Sequence, residues 1–312
     1  MTQKKTINIG AHSAQFADLN VEGEQLKIDG ESFYKISNVN GMRPFFMSIV
    51  SHSNHWMFIS STGALSAGRK DSDSALFPYY TDDKITESFE TTGSKSIFLV
   101  EKNSQTFLWE PFSMRQVSLY KISRNLYKNA FGNKVIFEEI NHDLEVRFTY
   151  EWNSTDLYGF VRKSMLSNTG TSAVNVQFID GIQNVLPYGI EEALQTSSSN
   201  LVDAYKRTEL VEGSSLAVFA LSAIIVDKAE PSEALKSNIA WSLGLHHPTI
   251  LLSSLQLDAF RRGQEVSQET DVKAEKGAYF LKSEVVLEPQ KSKEWLLVAD
   301  VNQTISDVVD IK

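Results

Sequence analysis

The amino-acid sequence predicts an all-β protein built from antiparallel strands, arranged as a sandwich or a barrel. Apolar and polar residues alternate over several stretches, which is typical of strands buried on one face. Clusters of turn residues separate these stretches at short intervals. Signals for the start of a helix are few. Many short strands with little helix favour an antiparallel layered architecture.

The clearest strand covers residues 144–152, where every second residue is apolar and the last one is Trp152. Burial in the core is the best interpretation of Trp152. Residues 134–140 come just before it and are rich in Val, Ile and Phe. The intervening residues 141–143 therefore predict a hairpin, with His142 as a solvated turn residue.

A second hairpin is predicted near the end of the chain. Residues 279–287 and 294–301 are its strands, and residues 288–291 with Pro289 form its turn. The remaining predicted strands cover residues 45–50, 57–60, 96–100, 174–178 and 216–226.

Helix is expected mainly at residues 200–207. Asn200 followed by Asp203 is a weak capping pair, and it predicts one or two short helices there. Residues 231–235, which begin with a proline, predict at most one further turn.

Composition excludes several classes of protein. The 312 residues contain 30 Lys and Arg against 39 Asp and Glu, a net charge of −9, which argues against nucleic acid and anionic membranes as main partners. Cys is absent, so disulfides and thiol nucleophiles are excluded.

Lys4 and Lys5 precede polar residues rather than the apolar run of a secretory leader. Apolar stretches such as 216–226 are far shorter than the roughly 20 residues of a membrane span. A soluble, cytoplasmic protein is expected.

Two kinds of motif resemble cofactor sites. Gly63 and Gly68 have the spacing of a phosphate-binding loop, but the residue directly after the second glycine is not lysine and Lys70 stands where a Ser or Thr is needed, so a glycine-assisted turn is favoured. The histidine pairs have no evident third metal ligand nearby; they are His52 with His55 and His246 with His247. Neither a metal nor another cofactor is expected.

Three pairs of adjacent carboxylates suggest acid–base chemistry: Asp82-Asp83, Glu138-Glu139 and Glu191-Glu192. Neighbours on a strand point to opposite faces, whereas a glycosidase needs two carboxyls roughly 5 to 9.5 Å apart across one cavity. A catalytic pair from different strands stays open. No Gly-x-Ser-x-Gly nucleophile elbow occurs. No residue is therefore assigned a catalytic role.

Tyr79 and Tyr80 are the most suggestive aromatic residues. They lie beside Pro78, Asp82 and Asp83. Flat rings next to carboxylates suit the apolar face and the hydroxyl edge of a sugar. The alternative is that these bulky rings simply pack in the protein.

Several short segments resemble the N-terminal domain of cellobiose phosphorylase-type enzymes. Their order and spacing agree along nearly the whole chain, and Phe46 stands where that family has a tryptophan. The segments are Met-Arg-Pro-Phe-Phe at 42–46, Ile-Ser-Ser-Thr-Gly at 59–63, Leu-Phe-Pro-Tyr-Tyr-Thr-Asp-Asp at 76–83, Trp-Glu-Pro at 109–111, Gly132 with Phe137-Glu138, Ser-Asn-Thr-Gly at 167–170 and Leu-Glu-Pro at 287–289.

The resemblance implies an antiparallel β-supersandwich of the galactose mutarotase type over residues 1–302, with one or two short helices. Residues 303–312 would begin a linker to a helical (α/α)6 barrel. In that family the barrel holds the general acid and the phosphate site, and the reaction is inverting phosphorolysis of a β-glucoside. The chain itself would then be non-catalytic, and it would cover the barrel, shape the sugar cleft and support dimer contacts.

The resemblance also implies the site and its partners. The candidate carbohydrate or domain-interface residues are Arg43, Trp56, Arg69, Tyr79, Tyr80 and Asp82. The expected partners are the helical barrel of the same protein and an oligosaccharide, with a second copy of the chain as a further candidate. The alternative is a free-standing sugar-binding or mutarotase-like protein. A mutarotase would need a histidine and a carboxylate that converge across the sheet, and His142 could serve only if it faced the concave side.

Overall fold

The computed structural model describes residues 6–16, 20–197, 199–223 and 236–311. Its strands are β1 Asn8–Ile9, β2 His12–Ser13, β3 Glu22–Ile28, β4 Glu31–Ser37, β5 Phe46–Ile49, β6 His55–Ser60, β7 Leu65–Arg69, β8 Ala75–Phe77, β9 Gly93–Lys102, β10 Gln105–Trp109, β11 Ile122–Asn129, β12 Val135–Asn141, β13 Val146–Thr155, β14 Gly159–Asn168, β15 Val174–Val185, β16 Lys206–Leu210, β17 Ala217–Leu221, β18 Lys236–Leu243, β19 Thr249–Leu251, β20 Asp271–Lys273, β21 Gly277–Leu287 and β22 Ser292–Thr304. Its helices are α1 Asp82–Glu87, α2 Glu192–Ser197, α3 Ser199–Asp203, α4 Leu257–Arg261 and α5 Ile305–Ile311.

The strands form one large sheet and three smaller ones. The eleven-stranded sheet has the order β20-β16-β17-β18-β22-β14-β13-β12-β11-β4-β3, and the five-stranded sheet has the order β10-β9-β15-β21-β19. A four-stranded sheet, β5-β6-β7-β8, and the short pair β1-β2 complete the set. Neighbouring strands pair antiparallel, and the predicted hairpin is confirmed as β12 and β13. His142 is exposed in its turn, as predicted.

The five-stranded and four-stranded sheets both pack on the eleven-stranded sheet. Aromatic rings meet across each interface: Phe178 of β15 stacks on Trp295 of β22 at 4.7 Å between centroids. Phe77 of β8 meets Trp152 of β13 edge to face at 6.2 Å. Trp152 is 1% exposed, so its predicted burial is confirmed. The predicted antiparallel β-supersandwich is therefore the observed fold.

A buried ion pair joins the two main layers. Asp180 of β15 accepts hydrogen bonds from Arg162 Nη1 at 2.7 Å and Nη2 at 3.0 Å, and neither side chain is exposed to solvent. Trp295 Nε1 and two serine hydroxyls also donate to this carboxylate. The Arg162 guanidinium lies 4.6 Å from the ring centroid of Tyr150. Because every partner is buried, this cluster fixes how the layers are stacked.

The hairpin predicted from residues 279–287 and 294–301 is wrong. β21 pairs with β15 and β19 in the five-stranded sheet, whereas β22 pairs with β14 and β18 in the eleven-stranded sheet. The turn around Pro289 therefore carries the chain from one layer to the other. Alternation of apolar residues shows which face of a strand is buried, but it does not show which strand lies beside it.

Short helices are more numerous than predicted, since five α-helices and three short 3-10 helices occur in the described ranges rather than one or two. Asn200 lies inside α3 and not before it, so it is not the N-cap. The strand predicted at 216–226 is observed as β17, while residues 224–226 and the turn predicted at 231–235 lie outside the described residues. β22 ends at Thr304, two residues beyond the predicted domain end, and α5 follows it directly. The role of residues 303–312 as a linker stays a prediction.

None of the helices in the described ranges is long and apolar enough to cross a membrane.

The buried ion pair gives a prediction for stability. Arg162→Gln would leave the Asp180 carboxylate buried without a cation, and we expect the free energy of unfolding to fall by about 3–5 kcal/mol. Lys163→Gln, one residue further along β14, removes an exposed ion pair with Glu294 at 3.0 Å and should cost about 0–1 kcal/mol. Urea unfolding followed by circular dichroism measures both. Equal losses in the two variants would contradict this role of the cluster.

Candidate functional site

Four aromatic rings form a row on the outer face of the four-stranded sheet. Phe46 of β5 stacks on Phe58 of β6 at 5.8 Å, and Phe58 lies 5.9 Å from Trp56. Trp56 then meets Tyr79 edge to face at 5.6 Å. Side chains alternate along β6, so Met57 points into the core while Trp56 and Phe58 point outward. We call Phe46, Phe58, Trp56 and Tyr79 the aromatic row.

Trp56 is held in place by its neighbours. Its Nε1 donates a hydrogen bond to the carbonyl oxygen of Asp71 at 3.1 Å. Gly68 lies opposite Trp56 on β7, and a Cβ at Gly68 would fall 2.5 Å from Cζ2 of the Trp56 ring. Gly68 is therefore required for the indole to lie across β7. Gly63, by contrast, lies in the turn between β6 and β7 at a φ of 91°. The predicted glycine-assisted turn is therefore found at Gly63 and not at Gly68.

At one end of the row is a pocket of about 460 Å³ between α1 and α2, which we call the tyrosine pocket. Tyr79 and Tyr80 form one side of it. Its other lining residues are polar or charged, namely Thr81, Lys84, Glu87, Ser88, Glu192, Gln195 and Thr196. The pocket thus combines aromatic surface with several hydrogen-bonding groups.

Long-range hydrogen bonds place α2 beside this pocket. The backbone N–H of Glu192 donates to Asp73 Oδ1 at 2.8 Å, and Glu192 Oε2 accepts from Ser72 Oγ at 2.6 Å. Gln195 Oε1 accepts from the backbone N–H of Tyr79 at 3.0 Å, and its Nε2 donates to the carbonyl of Ile190. Because Gln195 is buried and doubly bonded, it fixes the distance between α2 and the Tyr79 backbone.

At the other end of the row is a groove of about 830 Å³, which we call the hairpin groove. It lies between the β3–β4 hairpin, β11 and the start of β5, and Phe46 belongs both to the groove and to the row. Its apolar lining residues include Tyr34, Phe45, Phe46, Met47, Leu126 and Ala130. The row therefore connects two concave sites.

Arg69 lies on the other face of the four-stranded sheet. Its Nη1 donates to Asp300 Oδ2 of β22 at 2.8 Å, and its Nε donates to Asn54 Oδ1 at 2.8 Å. Nη2 lies 3.3 Å from Asp156 Oδ1. Burial raises the pKa of Asp300, although its hydrogen bond to Val301 and the charge of Arg69 act in the opposite direction. Arg69 thus ties the four-stranded sheet to the eleven-stranded sheet.

His55 lies beside Arg69 on the same inner face. Its Nδ1 is 2.7 Å from Ser53 Oγ, and its ring meets Phe160 edge to face at 4.9 Å. Nε2 is buried and has no partner in the part of the chain that the structure describes. Burial, followed by the charge of Arg69, lowers the pKa of His55 to about 4, so the imidazole is neutral at pH 7.

The structure brings Trp56, Tyr79 and Tyr80 together at the row and the tyrosine pocket. Arg43 is exposed in the loop before β5, and within the described ranges it makes no hydrogen bond or ion pair. Asp82 begins α1, but its side chain lies outside the described part of the chain. The sequence pattern did not single out Phe58, although it is two residues from Trp56 on one strand. It indicated Glu192 only as a member of a carboxylate pair and did not indicate Gln195, because no local pattern connects α2 to Tyr79.

The carboxylates of Glu138 and Glu139 do not converge. On β12, Glu139 accepts from Trp109 Nε1 at 2.8 Å, whereas Glu138 accepts from Asn125 Nδ2 at 2.7 Å. The expectation that all three pairs lie on strands is wrong for two of them, because Asp82-Asp83 begin α1 and Glu191-Glu192 stand at the start of α2. In the described ranges, no group of three or more His, Asp or Glu side chains could hold a metal ion.

His142 lies in the β12–β13 turn with Nε2 at 2.8 Å from Ser123 Oγ. Among the described residues, this hydroxyl is the hydrogen-bond partner of the ring, and no carboxylate contacts it.

No protein-family model matches the chain, and no curated protein matches its sequence. Solved structures with similar folds include a putative aldose 1-epimerase from Escherichia coli K12, at 9% identity over 83% of this chain and 99% of that one, with a TM-score of 0.44. A galactose mutarotase-like protein from Lactobacillus casei ATCC 334 matches at 8% identity over 83% and 100%, also with a TM-score of 0.44. A bacterial glucoamylase complexed with acarbose matches at 10% identity over 86% of this chain, with a TM-score of 0.45, and this chain spans 35% of its length. At these identities the likeness concerns the fold alone.

The environment of His55 gives a pH prediction. Its pKa is about 4 in the folded chain against an ordinary value of 6.5, so between these values the unfolded chain binds a proton that the folded chain does not. The contribution of His55 to the free energy of unfolding should therefore decrease as the pH falls from about 6.5 to 4. Urea unfolding at several pH values should show a flatter pH dependence for His55→Asn than for the wild type. His142→Asn is the control, and an unchanged profile in His55→Asn would contradict the prediction.

Proposed function

We propose that the chain is a carbohydrate-binding sandwich that holds an oligosaccharide along the aromatic row. The observation that carries this proposal is the continuous path from the hairpin groove, over Phe46, Phe58, Trp56 and Tyr79, into the tyrosine pocket. An elongated ligand that lies on this path would contact flat rings along its length and would end in a pocket.

The chemistry of the path favours a sugar over a purely apolar ligand. Aromatic faces suit the C–H face of a pyranose, while its hydroxyl groups need donors and acceptors at the ring edges. The tyrosine pocket supplies both kinds of group through Lys84, Glu192 and Thr196. Its volume of about 460 Å³ is typical of sites for small ligands.

Two of the four residues of the row are also held before any ligand arrives. Trp56 is fixed by its hydrogen bond to Asp71, and the backbone of Tyr79 is fixed by Gln195. A preorganised surface loses less conformational entropy when a ligand binds, so fewer contacts are needed for the same affinity.

We further propose that this is the non-catalytic N-terminal domain of a glycoside phosphorylase-type enzyme of the cellobiose phosphorylase kind. In that role its partners are the helical barrel of the same protein, the oligosaccharide and, at dimer contacts, a second copy. Support comes from two segments of the resemblance, residues 42–46 and 76–83, because they contribute Phe46 and Tyr79 to the row. A partner domain docked at this surface would enclose the sugar between the two.

A free-standing sugar-binding or mutarotase-like protein is the alternative, and the same row serves it equally well. The coding sequence after Lys312 distinguishes the two roles. A continuation that encodes a helical barrel of several hundred residues supports the enzyme domain, whereas a stop codon supports the free-standing protein.

Binding to neutral gluco-oligosaccharides tests the proposal. We expect calorimetry with cello-oligosaccharides and malto-oligosaccharides to show affinity that rises with chain length, because a longer chain contacts more of the row. Trp56→Ala and Tyr79→Ala should each weaken binding about tenfold, the equivalent of ~1.4 kcal/mol. Tyr158→Ala removes an exposed ring from the β13–β14 turn, outside the row, and should leave binding unchanged.

Circular dichroism of each variant excludes unfolding as the cause of weaker binding. Binding that neither Trp56→Ala nor Tyr79→Ala reduces would overturn the assignment of the row.

In the same samples, cellobiose incubated with and without phosphate should give no free sugar or sugar phosphate. Turnover abolished by changing one carboxylate of this chain would overturn the non-catalytic role.

A further inference from the structure

A second, smaller cavity adjoins the tyrosine pocket. It has a volume of about 70 Å³, and it shares Tyr80 and Gln195 with the tyrosine pocket. Lys206, Lys276 and Asp203 bring charged groups to it, so we call it the lysine cavity. A water needs roughly 10–15 Å³ of such space, so the cavity has room for a small polar group.

The charges in this cavity are not balanced. Lys206 is 5% exposed, and its Nζ donates to Asp203 Oδ1 at 2.6 Å. Asp203 neutralises Lys206, whereas Lys276 is exposed and makes no ion pair within the described ranges. Lys276 is close enough to Lys206 to lower its pKa, although burial lowers it more and Asp203 raises it. One positive charge is therefore in excess.

Uncharged polar groups line the same space. A bulge in β15 between Gln183 and Val185 puts Asn184 at a φ of 59°, and Asn184 lines the cavity. Bulges commonly redirect a side chain in this way. The Asn184 amide is held by Thr92 Oγ1 at 2.8 Å. Burial raises the pKa of Tyr80, a hydrogen bond with Asn184 acts in the opposite direction, and the charge of Asp203 adds to the rise, so the phenol stays protonated.

We propose that the lysine cavity binds the anionic group of an acidic sugar, a carboxylate or a phosphate, while the sugar ring lies in the tyrosine pocket. This inference deepens the proposed carbohydrate binding and rests on it. Tyr80 and Gln195 belong to both spaces, so a ring and its acidic substituent would lie side by side there.

An amine without a counter-charge explains why a partner of negative charge is favoured. Lys206 is buried and paired with Asp203, whereas Lys276 is exposed, lines the same cavity and has no such partner among the described residues. An anion beside Lys206 and Lys276 would accept charge-assisted hydrogen bonds from both amines, which are stronger than neutral ones. The chain carries a net charge of −9, so its overall field does not attract anions, and selectivity has to come from this local pair.

The test compares neutral and acidic forms of one sugar by calorimetry at low salt. The ligands are glucose, glucuronate, glucose 6-phosphate and inorganic phosphate. We expect at least one acidic sugar to bind about tenfold more tightly than glucose, with an advantage that falls as salt rises. The two acidic sugars distinguish a carboxylate site from a phosphate site, and inorganic phosphate shows whether the anion alone suffices.

Lys276→Gln should remove the advantage of the acidic sugar and leave glucose binding unchanged. Lys273→Gln is the matched control, because it removes one exposed lysine from the neighbouring strand β20 and outside the cavity. Lys276→Met is a second variant should the first fail to fold. Equal affinity of the wild type for glucose and both acidic sugars would overturn this inference and leave the proposed function intact. Absence of binding by every sugar, including the oligosaccharides, would overturn both.

Discussion

The carboxylate of Asp180 is the constraint on which the stacking of the layers depends. It lies on β15 of the five-stranded sheet, yet its strongest partners, Arg162 and Trp295, lie on β14 and β22 of the eleven-stranded sheet. A carboxylate without solvent exposure is stable only where a cation and hydrogen-bond donors compensate for the lost water. A shift of one layer by a single residue would separate these partners. The ion pair therefore selects one relative position of the two layers, whereas apolar contacts alone are compatible with several.

Arg69 likewise forms an ion pair between two sheets, and this pair orients the strands that carry the aromatic row. The strand pair β6–β7 directs His55 and Arg69 inward, where Arg69 reaches Asp300 of the eleven-stranded sheet. Because side chains alternate, the next pair, Trp56 and Gly68, faces outward. One face of this hairpin therefore attaches the four-stranded sheet, while the other presents the rings. The direction of Trp56 is a consequence of where Arg69 is bound.

The sequence predicted those features that depend on local pattern. Alternation in residues 144–152 was enough for β13, and the polar turn before it was enough for the hairpin with β12. The same alternation did not reveal that β21 and β22 lie in different layers, because a buried face is compatible with either sheet. Adjacency of Tyr79 and Tyr80 pointed to the pocket, but its opposite wall comes from Gln195, more than a hundred residues later. Lys206 and Lys276 share a cavity only because β16 and the approach to β21 meet in three dimensions.

The location of the two cavities follows from the way the layers end. The four-stranded sheet stops at β8, and the chain must cross from β8 to β9 and later leave β15, so α1 and α2 fill the space between these strand ends. Leu186, Ile190 and Val202 pack there in a small apolar cluster of their own, separate from the main core. Sites outside a main core tolerate polar groups better, because fewer apolar contacts are lost when a charge is accommodated. At this junction the buried Lys206 keeps Asp203 as its counter-charge, as a buried charge requires, while the exposed Lys276 is left for a ligand that enters from the tyrosine pocket.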